Sequence, residues 1–173
     1  EVVLFEILKP FGFSQVDQIF KAIGSQSGRQ FFSKTHHLII DRNTILIALL
    51  DDLKKPIEIS QLDKEIHTPL QMRFAISTDL NFSKDSNIAH LDFSKVSFPL
   101  KLRKWKNGDK FIPFGMRNFK KLSDFFIDEK YTILDKKVQW ILCSGDDIVW
   151  IVGRRIDDRY KIETHTKKAY IAE

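Results

Sequence analysis

Short apolar segments separated by polar turns run through this 173-residue sequence from residue 30 to its end. The longest apolar run, Ile45 to Leu50, has six residues, whereas a membrane-spanning helix needs about 20. The segments alternate or are rich in β-branched and aromatic residues, which favours antiparallel strands, and hairpin turns are expected at Asn107-Gly108 and Gly145-Asp146. We predict strands over residues 30–33, 37–40, 44–50, 57–59, 70–77, 88–92, 98–105, 140–144, 148–152 and 169–172.

Apolar residues at helical spacing predict three helices outside these strands. The first ends at Pro10–Gly12. The second begins at Ser14, with Asp17 three residues later as a capping signature, and ends at Gly24. Its apolar face should consist of Val16, Ile19, Phe20 and Ile23. The third helix, over residues 121–129, has its apolar residues at Leu122, Phe125 and Phe126.

The polar segment 51–56, which ends in proline, is the best linker candidate in the chain. We therefore expect two domains. Residues 1–52 would form a small unit of two helices and a β-meander, and residues 53–173 a mostly antiparallel β-sandwich with one packed helix. The predicted fold class is α+β.

Patterns typical of nucleotide hydrolysis or metal binding do not occur in the sequence. Its seven glycines are isolated, with no two adjacent or separated by a single residue, so no phosphate-binding loop or dinucleotide fingerprint is present. His36 and His37 are neighbours and would point to opposite faces of a strand. His67, His90 and His165 lack a partner at ligand spacing. We therefore expect no metal site and no cofactor in this chain.

The single cysteine and the paired acids also indicate structural roles. Cys143 lies in an apolar segment and is interpreted as a buried, inert thiol. One cysteine cannot form an intramolecular disulfide, which fits a reducing compartment, and we expect the cytoplasm. Asp146-Asp147 and Asp157-Asp158 could do acid/base chemistry in a hydrolase, but turn-forming surface acids are the preferred interpretation.

Positive charge is concentrated in the last part of the chain. Residues 1–100 carry 11 Lys and Arg against 12 Asp and Glu, whereas residues 101–173 carry 17 against 11. Residues 101–121 contain eight Lys and Arg residues and a single acid, Asp109, and aromatic residues are interleaved with the cations. Such a stretch attracts polyanions, whereas the alternative is a solvated face that only keeps the protein soluble.

An ordered signature of charged and turn-forming residues spans residues 102–130. It starts with Arg103 and Asn107-Gly108-Asp109-Lys110, continues with Pro113-Phe114-Gly115-Met116, and ends with Lys120-Lys121-Leu122-Ser123-Asp124. This order closely resembles the C-terminal domain of the tRNA(Ile)-lysidine synthetase family. Residues 148–157 look like the closing strand and loop of that domain, and residues 4–13 and 25–36 look like the family's linking helical domain. By fold, the resemblance extends to a β-sandwich domain of the phenylalanyl-tRNA synthetase β subunit.

The resemblance implies the tRNA-recognition part of an ATP-dependent ligase that attaches lysine to the wobble cytidine of tRNA(Ile) with a CAU anticodon. In the family, a Ser-Gly-Gly-x-Asp-Ser loop in an amino-terminal catalytic domain holds ATP, and this sequence has no match to it. ATP and Mg are therefore expected only in a full-length enzyme, and this chain alone should be inactive. The expected partners are that tRNA and the amino-terminal catalytic domain, with no membrane. The alternative is a β-sandwich protein-interaction module with a basic surface and no RNA role.

Candidate RNA-binding side chains follow from the signature and the charge. An RNA duplex presents phosphates and 2′-hydroxyls across a shallow minor groove, so a protein that reads its shape needs cations at spaced positions on a rigid scaffold. The expected tRNA-binding residues are Arg103, Lys104, Lys106, Lys110, Arg117, Lys120, Lys121, Lys130, Arg154 and Arg155. The expected turn-forming or orienting residues are Gly108, Asp109, Gly115 and Asp124. For Trp105, both a core position and stacking on a base stay open.

Overall fold

The computed structural model of the protein describes residues 2–23, 29–41, 44–49, 55–67, 70–81 and 83–173. The chain divides into an amino-terminal unit, residues 1–55 and 130–138, and a sandwich unit, residues 56–129 and 139–173. Residues 51–54 of the predicted linker lie outside the described residues, as does Gly24, the predicted end of the second helix.

The secondary structure is dominated by short strands. The helices are α1 (Val2–Leu8), α2 (Val16–Ala22), α3 (Leu122–Asp128) and α4 (Ile133–Val138), with 3₁₀ turns at Lys9–Phe11, Phe93–Lys95 and Asp158–Tyr160. The strands are β1 (Gln30–Phe32), β2 (His36–Asp41), β3 (Thr44–Leu49), β4 (Ile57–Ile59), β5 (Glu65–Ile66), β6 (Met72–Ser77), β7 (Ala89–Asp92), β8 (Leu100–Lys104), β9 (Lys110–Phe111), β10 (Lys120–Lys121), β11 (Trp140–Ser144), β12 (Asp147–Ile151), β13 (Arg155–Ile156) and β14 (Ala169–Ala172). Among the described helices, none is long and apolar enough to span a bilayer.

In the amino-terminal unit, helices pack with an antiparallel meander. Its three strands are neighbours in the order β1-β2-β3, as alternating apolar residues between polar links predict. α4 belongs to the same unit, where Lys137 Nζ donates a hydrogen bond of 2.8 Å to Gln30 Oε1 on β1. The buried core of this unit consists of Leu8, Phe13, Val16, Ile19, Ala22, Phe31, Leu38 and Ile40.

The start and the buried face of α2 differ from the prediction. Gln15, and not Ser14, occupies the N-cap position, and no side chain caps the helix. Gln15 Nε2 instead donates to the Phe32 carbonyl at 2.9 Å, which ties the start of the helix to β1. The face turned to the core runs through Val16, Ile19 and Ala22, so two of the predicted core residues, Phe20 and Ile23, stay largely exposed.

The sandwich unit consists of two antiparallel sheets that share one hydrophobic core. The five-stranded sheet has the order β13-β12-β11-β8-β4, and the four-stranded sheet has the order β5-β6-β14-β7. Alternation along β7 sends Ala89 and Leu91 into the core and places His90 on the opposite face of the sheet. Large buried residues of both sheets meet in this core, among them Phe74, Leu91, Leu100, Leu102, Leu142, Trp150 and Tyr170. The predicted α+β fold, with a mostly antiparallel sandwich and one packed helix, is confirmed.

The two predicted hairpin turns have different outcomes. Gly145 and Asp146 join β11 to β12, which pair with each other, so this hairpin is confirmed. Asn107 and Gly108 also form a turn, with Gly108 at a φ of 91°, but the strands that flank it do not pair. β8 already has β4 and β11 on its two edges, so β9 pairs with β10 instead. The hairpin prediction is therefore wrong at this turn.

Candidate nucleic-acid interface

The turn between β8 and β9 is held by one buried carboxylate, that of Asp109. Its two oxygens accept hydrogen bonds from Arg103 Nη1 at 2.8 Å and Nη2 at 2.9 Å, and Oδ2 also accepts the Lys106 N–H at 2.8 Å. Gly108, with its left-handed φ, allows the chain to reverse inside this loop. The Asp109 side chain thus orients the turn, and Gly108 lies where the chain reverses, whereas a role of either residue in RNA binding stays a prediction.

The guanidinium of Arg103 is engaged by this carboxylate. The side chain is 18% exposed, and its hydrogen bonds with Asp109 raise the pKa of Arg103. Nη1 also donates to the Lys104 carbonyl at 3.0 Å. Bidentate pairing fixes the guanidinium in one plane, so Arg103 positions the turn from the end of β8.

The next residue on β8, Lys104, lies over an aromatic ring. Its Nζ is 4.0 Å from the centroid of the Trp140 ring, a cation–π geometry. The side chain is half-buried, and burial lowers the pKa of Lys104 to about 8. Lys104 therefore carries less charge above neutral pH than an exposed lysine.

Two exposed lysines face each other on the β9–β10 ladder. Lys110 is the cross-strand partner of Lys121, so both side chains leave the ladder on the same face. The backbone ties this ladder to the turn, because the Leu122 N–H donates to the Asp109 carbonyl at 2.8 Å. Like charges directly opposite one another cost stability, and an anion bound between them would remove that cost.

The other residues of the Lys120–Asp124 segment have structural contacts. Lys120 points to the opposite face from Lys121 and forms an ion pair with Asp128 near the end of α3. α3 begins with Lys121 at its N-cap position and no side-chain cap. Asp124 lies in the first turn and accepts a hydrogen bond of 3.2 Å from Ser123 Oγ, so it does not cap the helix.

Aromatic side chains pack on the buried side of the β9–β10 ladder. Phe111 lies edge-on to Phe125 at 5.2 Å between ring centroids, and Trp105 lies edge-on to Phe126 at 5.0 Å. Phe111 and Phe126 are fully buried and Trp105 is half-buried. Of the two roles left open for Trp105, the structure gives it the packing position.

The second turn of the signature, Pro113–Met116, is fixed to the end of β13 and to the segment that follows it. The Phe114 N–H donates to the Ile156 carbonyl at 3.1 Å, and the Gly115 N–H donates to Asp158 Oδ1 at 2.8 Å. Gly115 has a φ of 84°, a left-handed value that closes the turn. This attachment leaves Phe114 and Met116 about half exposed.

The segment that holds this turn depends on a buried carboxylate that the sequence analysis misjudged. Asp157 is fully buried, so its interpretation as a surface acid is wrong. It accepts the Ile112 N–H at 2.9 Å and pairs with Arg159, whose Nη2 lies 2.9 Å from Oδ2. Burial is tolerated because every oxygen of the carboxylate has a hydrogen-bond donor. Two adjacent acids in a loop are typical of a turn, so no signal in the sequence distinguished Asp157.

Phe119 links the two parts of the signature. Lys110 Nζ lies 4.9 Å and Arg159 Cζ lies 5.0 Å from the centroid of its half-exposed ring. Arg159, which the sequence analysis did not select, therefore connects the lysine ladder to the Asp157 segment.

The remaining predicted cations fall into separate places. Arg117 is exposed between the Pro113–Met116 turn and β10, whereas Arg154 and Arg155 are exposed after β12. Lys130, with a φ of 55°, belongs by its contacts to the amino-terminal unit. We use the name basic turn surface for Lys106, Lys110, Arg117 and Lys121, which are all exposed. None of these four forms an ion pair with a carboxylate in the described part of the chain.

Comparisons with known proteins agree with the signature. Residues 1–50 match a family model described as the TilS substrate binding domain. Over 99% of its length the chain is 44% identical to the tRNA(Ile)-lysidine synthase of Parabacteroides distasonis, and over 99% it is 36% identical to that of Bacteroides thetaiotaomicron. The chain belongs to the tRNA(Ile)-lysidine synthase family. It spans 40% and 39% of the length of these two tRNA(Ile)-lysidine synthases.

A solved structure from the tRNA(Ile)-lysidine synthase family has the same fold. It is described as the crystal structure of the TILS C-terminal domain, and it superposes with a TM-score of 0.54 at 18% sequence identity. The match covers 70% of this chain and 92% of that one. The solved structure agrees in fold, and the relatives at 44% and 36% identity confirm the family resemblance predicted from residues 102–130.

Proposed function

We propose that the sandwich unit binds tRNA for a tRNA(Ile)-lysidine synthase, with the basic turn surface as its main contact. The full enzyme would be the ATP-dependent ligase that attaches lysine to the wobble cytidine of tRNA(Ile) with a CAU anticodon. The observation that carries the proposal is the cross-strand pair Lys110 and Lys121, exposed on a turn that the Arg103–Asp109 pair makes rigid.

The arrangement suits an RNA backbone for three physical reasons. The ammonium groups of the surface are compact charges that can meet phosphates without base specificity. Lys110 and Lys121 lie on paired strands and Lys106 lies in a hydrogen-bonded turn, so their backbone loses little conformational entropy when the RNA binds. The surface contains no carboxylate, and the nearest one in the sequence, Asp109, is occupied by Arg103. RNA phosphates would therefore meet a field of one sign.

The other predicted contacts divide by their geometry. Arg103 and Lys120 act mainly through Asp109 and Asp128, and their direct contact with tRNA stays a prediction. Lys104 would contribute less charge than an exposed lysine as the pH rises above neutral, because burial lowers its pKa to about 8. Within the sandwich unit, Arg154 and Arg155 would extend the contact beyond the basic turn surface. A contact of Lys130 with tRNA stays a prediction.

ATP and Mg²⁺ are proposed to act on another part of the full enzyme. In the described residues, no group of three His, Cys, Asp or Glu side chains gathers in a way that could hold a metal ion. The Ser-Gly-Gly-x-Asp-Ser loop that holds ATP in the family has no match in this sequence, and we propose that the chain alone has no ligase activity.

A salt titration tests the tRNA proposal. Four phosphate contacts predict that log affinity for tRNA falls with log salt with a slope of about −3 to −4. The double change Lys110→Ala and Lys121→Ala should weaken binding and reduce the size of that slope by about 1.5 to 2, because each substitution removes one phosphate contact.

The matched control is the double change Lys167→Ala and Lys168→Ala. These lysines are exposed and precede β14, so the net charge changes equally outside the basic turn surface. The control should retain most of the slope. Equal losses in both double variants would mean that only net charge attracts the RNA, and a flat salt response of the unaltered chain would contradict the proposal.

A further inference from the structure

A cavity of about 350 Å³ opens in the sandwich unit, and none of the four residues of the basic turn surface lines it. Its walls are the loop 83–90, the tip of the Pro113–Met116 turn and the segment 154–162. The volume lies at the small end of the range for ligand pockets in proteins, about 300 to 1,000 Å³. An RNA duplex cannot enter a space of this size, whereas one unstacked nucleotide can.

The charged groups in the walls favour an anion. Lys84, Arg154, Arg155 and Lys161 line the cavity, and Asp85 is the one carboxylate in its lining. Asp85 Oδ1 is engaged within its own loop, where it accepts the Asn87 N–H at 2.9 Å and Asn87 Nδ2 at 3.1 Å. Lys161 Nζ forms an ion pair with Asp158 Oδ2 at 2.8 Å. The guanidinium of Arg155, exposed on β13, is the group best suited to hold a phosphate.

The cavity also offers what the base of a nucleotide needs, a flat apolar surface. Phe114 lines the cavity and is 47% exposed, although it lies in a turn fixed by two backbone hydrogen bonds. Ile88, Ile156 and Ile162 extend the apolar wall, to which the buried Trp150 also contributes. An exposed, rigidly mounted aromatic ring beside arginines is the combination that single-stranded nucleic acids use for stacking and phosphate contact.

The loop wall is also ordered by a histidine. The Ser83 N–H donates to His90 Nε2 at 3.2 Å, which requires the neutral ring, and burial lowers the pKa of His90. The ring therefore stays neutral at pH 7 and fixes the start of the loop. The hydroxyls of Ser83 and Ser86 in the same wall can meet a ribose or a base edge.

We propose that this cavity binds one unpaired ribonucleotide of an RNA strand, with its base on Phe114 and its phosphate on Arg155. The inference rests on the proposed tRNA-binding function and adds a single-stranded contact to the phosphate contacts of the basic turn surface. A free nucleotide has the same chemistry, so the test compares both sources.

The test measures the affinity of the chain for two RNA hairpins of equal stem, one blunt and one with a single-stranded 3′ extension of a few nucleotides. The extended hairpin should bind about tenfold more tightly, the size of one base stacked on an aromatic ring. Phe114→Ala should abolish this preference. Met116→Ala, on the same turn but outside the cavity lining, should keep it.

A second variant and a competitor complete the test. Arg155→Gln should reduce the preference without changing the melting temperature, which covers the case in which Phe114→Ala fails to fold. Equal affinity of the unaltered chain for both hairpins would overturn the inference and leave the proposed function intact, provided that binding still depends on Lys110 and Lys121. Saturation of the cavity by free CMP with no gain from the extension would overturn its assignment to an RNA strand. Binding of neither hairpin would overturn both proposals.

Discussion

Replacing Asp109 with Asn should loosen the turn that carries the basic turn surface. The change keeps the side-chain volume but removes the charge and places an amide donor where Arg103 and Lys106 donate. Breaking a buried ion pair costs about 3 to 5 kcal/mol. The Arg103 side chain is 18% exposed and can be partly solvated, so we expect a loss of about 2 to 4 kcal/mol in the free energy of unfolding.

Urea denaturation followed by tryptophan fluorescence measures this loss. All three tryptophans, Trp105, Trp140 and Trp150, belong to the sandwich unit, so the signal reports that unit. A double-mutant cycle with Arg103→Met should show a coupling energy of about 1.5 to 3 kcal/mol. Asp124→Asn, which removes the same charge from an exposed site, should change stability by less than about 0.5 kcal/mol.

The same variants separate rigidity from charge in tRNA binding. Both Asp109→Asn and Asp124→Asn make the protein more basic, which by charge alone would strengthen binding to RNA. Asp109→Asn should nevertheless weaken it, because the turn that positions Lys106 and Lys110 is lost. A stability loss below about 0.5 kcal/mol, or tighter tRNA binding by Asp109→Asn, would refute the reasoning.

Three further predictions follow from buried groups. Burial raises the pKa of Cys143 to about 11, so its thiol should resist alkylation at pH 8 in the folded protein and react once the protein is unfolded in urea; rapid labelling of the native protein would contradict its burial. Burial, and secondarily the charge of Lys137, lowers the pKa of His37 in the folded protein. As the pH drops below about 6.5, His37 is therefore protonated in the unfolded chain before it is protonated in the folded protein, and the free energy of unfolding should fall. Hydrogen exchange of β1 and β2 should show this loss, and His37→Phe should reduce it. Burial lowers the pKa of Lys104 to about 8, whereas the side chain titrates near 10.5 in the unfolded chain. The free energy of unfolding should therefore rise between pH 8 and 10, and this rise should disappear in Lys104→Met. Urea titrations at each pH can check both results.

The sequence was informative where local pattern decides structure. The strands β8, β11 and β12 follow from runs such as 98–105, 140–144 and 148–152, because apolar β-formers between turns have few other ways to bury themselves. The fold class follows from the number of such runs. The order of the residues from 102 to 130 was enough to predict the family.

Other features depend on contacts that no local pattern records. The Lys110–Lys121 pairing occurs on strands of two residues, which are too short to show alternation. The Arg103–Asp109 pair joins the two ends of a turn whose flanking strands, β8 and β9, do not pair with each other. The buried Asp157 accepts a hydrogen bond from the Ile112 N–H, a partner 45 residues away in the sequence. Tertiary packing therefore determined which charges stayed exposed.

Mapping of photochemical crosslinks between tRNA and the intact chain tests the central claim most directly. If Lys106, Lys110, Arg117 and Lys121 form the main contact, the crosslinked peptides should come from residues 105–121, and the Lys110→Ala and Lys121→Ala double variant should lose them. Crosslinks confined to other parts of the sandwich unit, with the same yield in the double variant, would contradict the account.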